Sequence, residues 1–186
     1  MAESAVDRQA IHDELEGARA TFHRLLDGAT DADLRRATEG TRWTNGQLLF
    51  HMLFGYILIR PLLTLLRMFR RLPPGTDRTF ARILNVWTKP FDVVNHLGPV
   101  GGAKVLGRRR MEKAFDRVIA WLHRRLDAER ETDLALAMHY PNRWDPFFRD
   151  VMTVADLYRY PTQHFDFHRR QLTLGPAREG HRHPGE

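Results

Sequence analysis

Apolar residues recur every three or four positions along four long stretches of this chain, and no stretch alternates convincingly between apolar and polar. That period is the mark of amphipathic helices, and the missing alternation argues against half-buried strands. In the first stretch Ile11, Leu15, Ala18, Phe22 and Leu25 form one stripe. Ser4 opens it with Asp7 as capping-box partner, and Gly28 ends it. Thr30 to Arg36 reads as a short extra turn. The second helix opens at Thr44, where Gln47 completes a capping box and Trp43 with Leu48 supplies a hydrophobic staple. It runs to about Arg71, with a kink expected at Pro61, and Pro73-Pro74-Gly75 stops it.

The third helix spans Gly107 to Glu129, with Met111, Phe115, Val118, Leu122 and Leu126 inward. The fourth begins at Thr153, capped with Asp156 and stapled by Met152 and Leu157, and continues to about Leu174 before Gly175-Pro176. The connection from Leu72 to Arg108 is too long for a simple hairpin and carries its own apolar residues, so short packed helices are expected there. The predicted fold is therefore all-α. One domain over residues 5–174 is expected, followed by a disordered polar tail, 175–186.

Leu48 to Leu66 is apolar enough to raise the question of a membrane span. At about 100° per residue, however, Arg60, Thr64, Arg67 and Arg71 lie roughly 160–220° around from His51. A basic face opposite an apolar one marks a core helix, and no transmembrane segment is expected. The acidic N-terminus shows no signal peptide, which leaves a cytoplasmic location by default. The net charge of +6 is spread among acidic residues and does not form a tract, so a solvated basic surface is expected, with no specific nucleic acid partner.

The chain has no cysteine. Disulfides, iron–sulfur clusters and cysteine nucleophiles are excluded, and histidine becomes the metal ligand to seek. His51 sits on the apolar side of the second helix, beside Leu48, Phe54, Gly55 and Leu58. His164 and His168 stand four apart on the fourth and share a face. Leu157, Tyr160 and Gln171 fall within about 40° of that pair. Arg159, Asp166, Arg169 and Arg170 take the other side, with Asp166 placed to pair with Arg170. Taken alone, His51 reads as a core histidine satisfied by hydrogen bonds, and a lone HxxxH is a weak motif. Two inward imidazoles one turn apart, facing a third on another helix, are hard to satisfy except by one shared ion. Three such ligands with an open position are the pattern of a catalytic zinc-type site. His12, His23 and His123 lie toward the edges of their stripes, and His96, read as a loop residue, is the one rival ligand.

Trp43-Thr44 opening the helix of His51, followed much later by His164-Phe-Asp-Phe-His168-Arg-Arg-Gln171-Leu172, resembles the DinB/YfiT-like superfamily. The likeness runs over residues 5–174 in order and spacing, and Trp144-Asp145-Pro146 is among its more specific parts. The resemblance implies a four-helix bundle, here with a long, partly helical connection between helices 2 and 3. It implies one divalent metal ion, zinc or nickel first, on His51, His164 and His168. It also implies activity with a low-molecular-weight thiol such as mycothiol, as an S-transferase, isomerase or hydrolase acting on a small-molecule substrate, and pairing as a homodimer. The residues leave open a non-catalytic metal or small-ligand binder, and a basic protein bound to membrane or nucleic acid. For a general base, Asp145, Asp150 and Asp92 are the candidates, and the sequence does not choose among them. Arginines at a pocket mouth are expected to hold a thiol cofactor's carboxylate.

Overall fold

The computed structural model describes residues 6–174, and in it the chain is mostly helical. Helix α1, Arg8–Gly28, is capped by Asp7, whose carboxylate accepts the Ala10 N–H at 3.0 Å. Asp7 is thus the cap itself, where the sequence made it the partner of Ser4, a residue outside the described part. Thr30 and Asp33 form a reciprocal capping box on the short α2, Asp31–Arg35. The same device opens α3, Asn45–Phe69, where Thr44 N–H donates to Gln47 Oε1 at 3.0 Å and Gln47 N–H to Thr44 Oγ1. Helix α3 continues through Pro61.

The long connection folds into α4, Thr76–Val86, and the first half of α5, Thr88–Asp127. Helix α5 is broken at Gly107, whose φ of 60° suits glycine alone without strain. The helix expected to start at Gly107 is the part after that break. A short α6, Glu131–Leu134, leads to two strands, β1, Ala137–His139, and β2, Val151–Thr153. They pair antiparallel with Met138 opposite Met152. Helix α7, Val154–Arg169, follows with the expected Thr153–Asp156 box.

The strands are a departure from the sequence reading, and their length explains it. With three residues each and one inward methionine apiece, neither is long enough to show a period of two. Their effect is local. They hold the 140–150 loop closed and deliver the chain straight into the α7 cap, with Tyr140 N–H donating to Asp150 O at 2.9 Å.

Helix α3 packs against α5 and α7, and α1 packs against the same two. Phe22, Tyr56, Phe115 and Phe165 meet at the centre, with Phe22 stacked on Phe115 at 4.3 Å and Tyr56 edge-on to it at 4.8 Å. Among the described residues α3 is the one helix long and apolar enough to cross a membrane, yet half of its most apolar window is buried in protein. His51 is buried on its inner side while Arg60, Thr64 and Arg71 are exposed, as the angular pattern required.

Two expectations about α7 change. The helix ends at Arg169, short of Leu174, because the next residues bond elsewhere. Gln171 O accepts the Glu39 N–H at 2.8 Å, and Thr173 N–H donates to Asn45 Oδ1 at 2.9 Å. Asp166 meets Arg169 at 3.6 Å, one position before the arginine expected.

Asn45 is fully buried, and its Nδ2 also donates to Asp33 O at 2.8 Å and Thr173 Oγ1 at 3.1 Å. One side chain thereby ties α2, the start of α3 and the segment after α7 together. Removing it leaves the part-buried Thr173 N–H without its acceptor and takes one of two donors from the Asp33 carbonyl, which the Arg36 N–H also reaches at 3.1 Å. The Asn45→Ala protein should lose roughly 1–3 kcal/mol of unfolding free energy. Urea unfolding followed by circular dichroism measures this, and an unchanged midpoint would show that the network is not holding these segments.

Candidate metal centre

The second turn of α3 places His51 inward, and α7 presents His164 and His168 one turn apart on its facing side. His51 is 6% exposed and His164 2%, while His168 is half-buried nearer the surface. One nitrogen from each lies within 4.8 Å of those of the other two, a group that could hold a metal ion. Among the described residues no other set of three histidines and carboxylates is so placed. Gly55, one turn after His51, makes room. A Cβ there would stand 3.0 Å from His164 Nδ1, tighter than ordinary packing.

The spacing of the nitrogens suits ligation of one ion as well as it suits a hydrogen bond. His51 Nε2 and His164 Nε2 are 3.0 Å apart, with the rings tilted 59°. Two nitrogens each about 2.0–2.1 Å from one ion would sit roughly 3 Å apart. His12 and His123, between α1 and α5, make the contrast. Their Nδ1 atoms lie 2.5 Å apart with rings within 19° of coplanar, and each Nε2 faces a carboxylate, Asp127 or Glu16. That is a head-on hydrogen bond with no third ligand beside it.

His168 has its tautomer fixed. Its Nδ1–H donates to Gln171 Oε1 at 2.6 Å, which leaves the Nε2 lone pair free. The Nδ1 atoms of His51 and His164 have no hydrogen-bond partner. Burial pushes the His51 pKa down to about 3, helped by His168. Burial, with His51 and His168 beside it, pushes His164 well down too, and His168 is lowered by burial against the opposing effects of Gln171 and Asp145. All three imidazoles are therefore neutral donors near pH 7.

Trp43 covers the group from outside, its ring 4.5 Å from that of His51. His96, the rival ligand, lies on α5 and not in a loop. It stacks on the far side of Trp43 at 5.9 Å, and its carbonyl accepts the indole N–H at 3.1 Å. It stands outside the three-histidine group.

Of the three carboxylates, Asp145 is the one that lies beside the histidines. Asp145 Oδ2 lies 3.7 Å from His164 Nε2 and accepts the Tyr160 O–H at 2.9 Å, while Oδ1 accepts the Phe147 N–H at 2.8 Å. Burial raises the Asp145 pKa above the usual carboxylate value and Tyr160 well above that of a free phenol. Asp150 is largely exposed and meets His139 at 3.2 Å, and Asp92 is exposed on α5. Nothing in the sequence pattern singled out the Asp145–Tyr160 pair, because the two belong to a loop and a helix that only folding brings together.

A cavity of about 270 Å³ opens onto His51, His164, Asp145 and Tyr160. Its other walls are mostly apolar, from α3, α4 and the 138–148 segment. None of its described lining residues is arginine or lysine, so the arginines expected at its mouth are not among them.

Residues 14–172 match the sequence model of the DinB superfamily. No curated protein and no solved structure matches the chain. With the family match extending from the second turn of α1 to the end of the segment after α7, the chain belongs to the DinB superfamily.

Proposed function

We propose that this chain is a metal-dependent enzyme whose His51, His164 and His168 hold one divalent ion, zinc or nickel, beside a substrate cavity. The observation that carries the reading is the convergence of three neutral imidazoles, two of them buried, next to a largely buried carboxylate. The fold is read as the family's four-helix bundle, of α1, α3, the later part of α5 and α7. A cytoplasmic homodimer is the form in which we take the protein to work.

Bound there, the ion would supply positive charge that makes water, or a low-molecular-weight thiol such as mycothiol, easier to deprotonate near neutral pH. With no cysteine in the chain, a sulfur nucleophile has to arrive as a cofactor. Asp145 is placed to take the nucleophile's proton at Oδ2, the oxygen nearest His164. Its raised pKa makes it a stronger base than an exposed aspartate. Tyr160 holds that oxygen in place, and the Phe147 N–H fixes the other. Gln171 keeps His168 in the tautomer that leaves Nε2 free. Trp43 limits the access of bulk water from outside.

Replacing any one of the three histidines by alanine should remove most of the bound metal after dialysis while circular dichroism stays helical. Full occupancy in the His164→Ala protein would refute the ligand set. Asp145→Asn, in contrast, should keep the metal and lower turnover by roughly 10²–10⁴-fold, the usual loss when a general base is removed. Conjugation of a chlorinated aromatic to mycothiol, with glutathione and bacillithiol alongside, is the assay. Activity equal to wild type in Asp145→Asn would reassign the base.

The lowered histidine pKa values also set a pH dependence. Unfolded, His51 binds a proton near 6.5, whereas folded it does so only at about 3. The unfolded state therefore holds more protons between those values, and folding stability falls as pH drops through that window. The metal-free wild type should lose more melting temperature between pH 6.5 and 4 than a metal-free His51→Gln protein. Parallel curves for the two would contradict the assignment of His51 as a buried neutral imidazole.

A further inference from the structure

The cavity beside the histidines is unlike the rest of the molecule in its charge. The chain carries 29 lysines and arginines, and at the other end of α3 and α5 five arginines line one surface cavity with Glu129 and Asp133. None of the described residues around the histidine cavity is cationic apart from histidine itself. Phe54, Leu58, Leu62, Leu65, Phe80 and Leu84 form its apolar body, and Met138, Pro141, Trp144 and Phe148 continue it. Its polar lining is His51, His164, Asp145 and Tyr160, which adjoin one another, with Asn95, His139 and Tyr140 besides. A carboxylate or phosphate carried in the apolar part would lose its water and find no opposite charge, a cost of several kcal/mol.

Size narrows the occupant further. A dry cavity of ~150 Å³ is enough to bind benzene. At about 270 Å³ this one holds a molecule nearer two fused rings, or one ring with a short chain.

We infer that the cavity takes an uncharged, largely apolar molecule of about two-ring size. This rests on the cavity being the substrate pocket of the proposed metal site, and it assigns the electrophile, not the thiol, to that space.

Isothermal titration of the protein with 2-naphthol and 2-naphthoate at pH 7 tests the charge rule, on metal-free and metal-loaded protein separately. In the metal-free form naphthol should bind tighter than naphthoate by about tenfold or more. Leu62→Lys should raise the affinity for naphthoate over wild type, with Leu62→Met as a control for volume. Should Leu62→Lys fail to fold by circular dichroism, the wild-type comparison decides. Naphthoate binding as tightly as naphthol in metal-free wild type would overturn the inference, as would no binding of either in both forms. Metal content, measured on the same samples, separates the two readings. Naphthol binding without metal uptake refutes the metal site alone, and metal uptake without naphthol binding refutes this inference alone.

Discussion

Imidazoles placed a few ångströms apart inside a protein cannot all carry charge, and as neutral rings they need partners for their nitrogens. His51, His164 and His168 are under that constraint, and much of the surrounding structure follows from it. Burial first, and the neighbouring imidazoles after it, drive His51 and His164 to the neutral form. One contact, His51 Nε2 to His164 Nε2, offers a single proton position for two nitrogens. A cation held in common removes that conflict, which hydrogen bonds among the three rings do not. The elements around the group serve its placement. A capping box fixes where α3 begins, Asn45 clamps that end, and Gly55 leaves the space that His164 enters.

The 140–150 loop adds a carboxylate to a helical frame. Three-residue strands on either side of it are enough to hold Asp145 beside His164 and Trp144 in the cavity wall, and Tyr160 reaches from α7 to meet Asp145. A carboxylate with a raised pKa next to three neutral donors gives one group fit to take a proton and another fit to hold positive charge. The apolar cavity beyond them excludes charge of its own, so the electrostatics are concentrated at one end of the pocket.

Much of this was legible in the residues. Capping boxes at Thr44 and Thr153 mark helix starts by local chemistry, and the structure keeps both. The angular positions of His51, His164 and His168 followed from helix period alone, and folding brings all three together. Other features needed the tertiary structure. Asp145 could not be separated from Asp150 and Asp92, since a carboxylate's role depends on what the loop is folded against. The strands were too short to show a period, and the early end of α7 depends on Asn45, more than a hundred residues away in the chain. His12 and His123 lie on stripe edges in sequence, and only the packing of α1 on α5 joins them.

The central claim is that three imidazoles share one divalent ion. X-ray absorption at the metal edge, on protein purified without added metal and then assayed for metal content, addresses it most directly. About one zinc or nickel per chain is expected, with a first shell of three imidazole nitrogens at ~2.0–2.1 Å for zinc. A protein that takes up no divalent ion, or one whose metal shows a shell without imidazole, would contradict it.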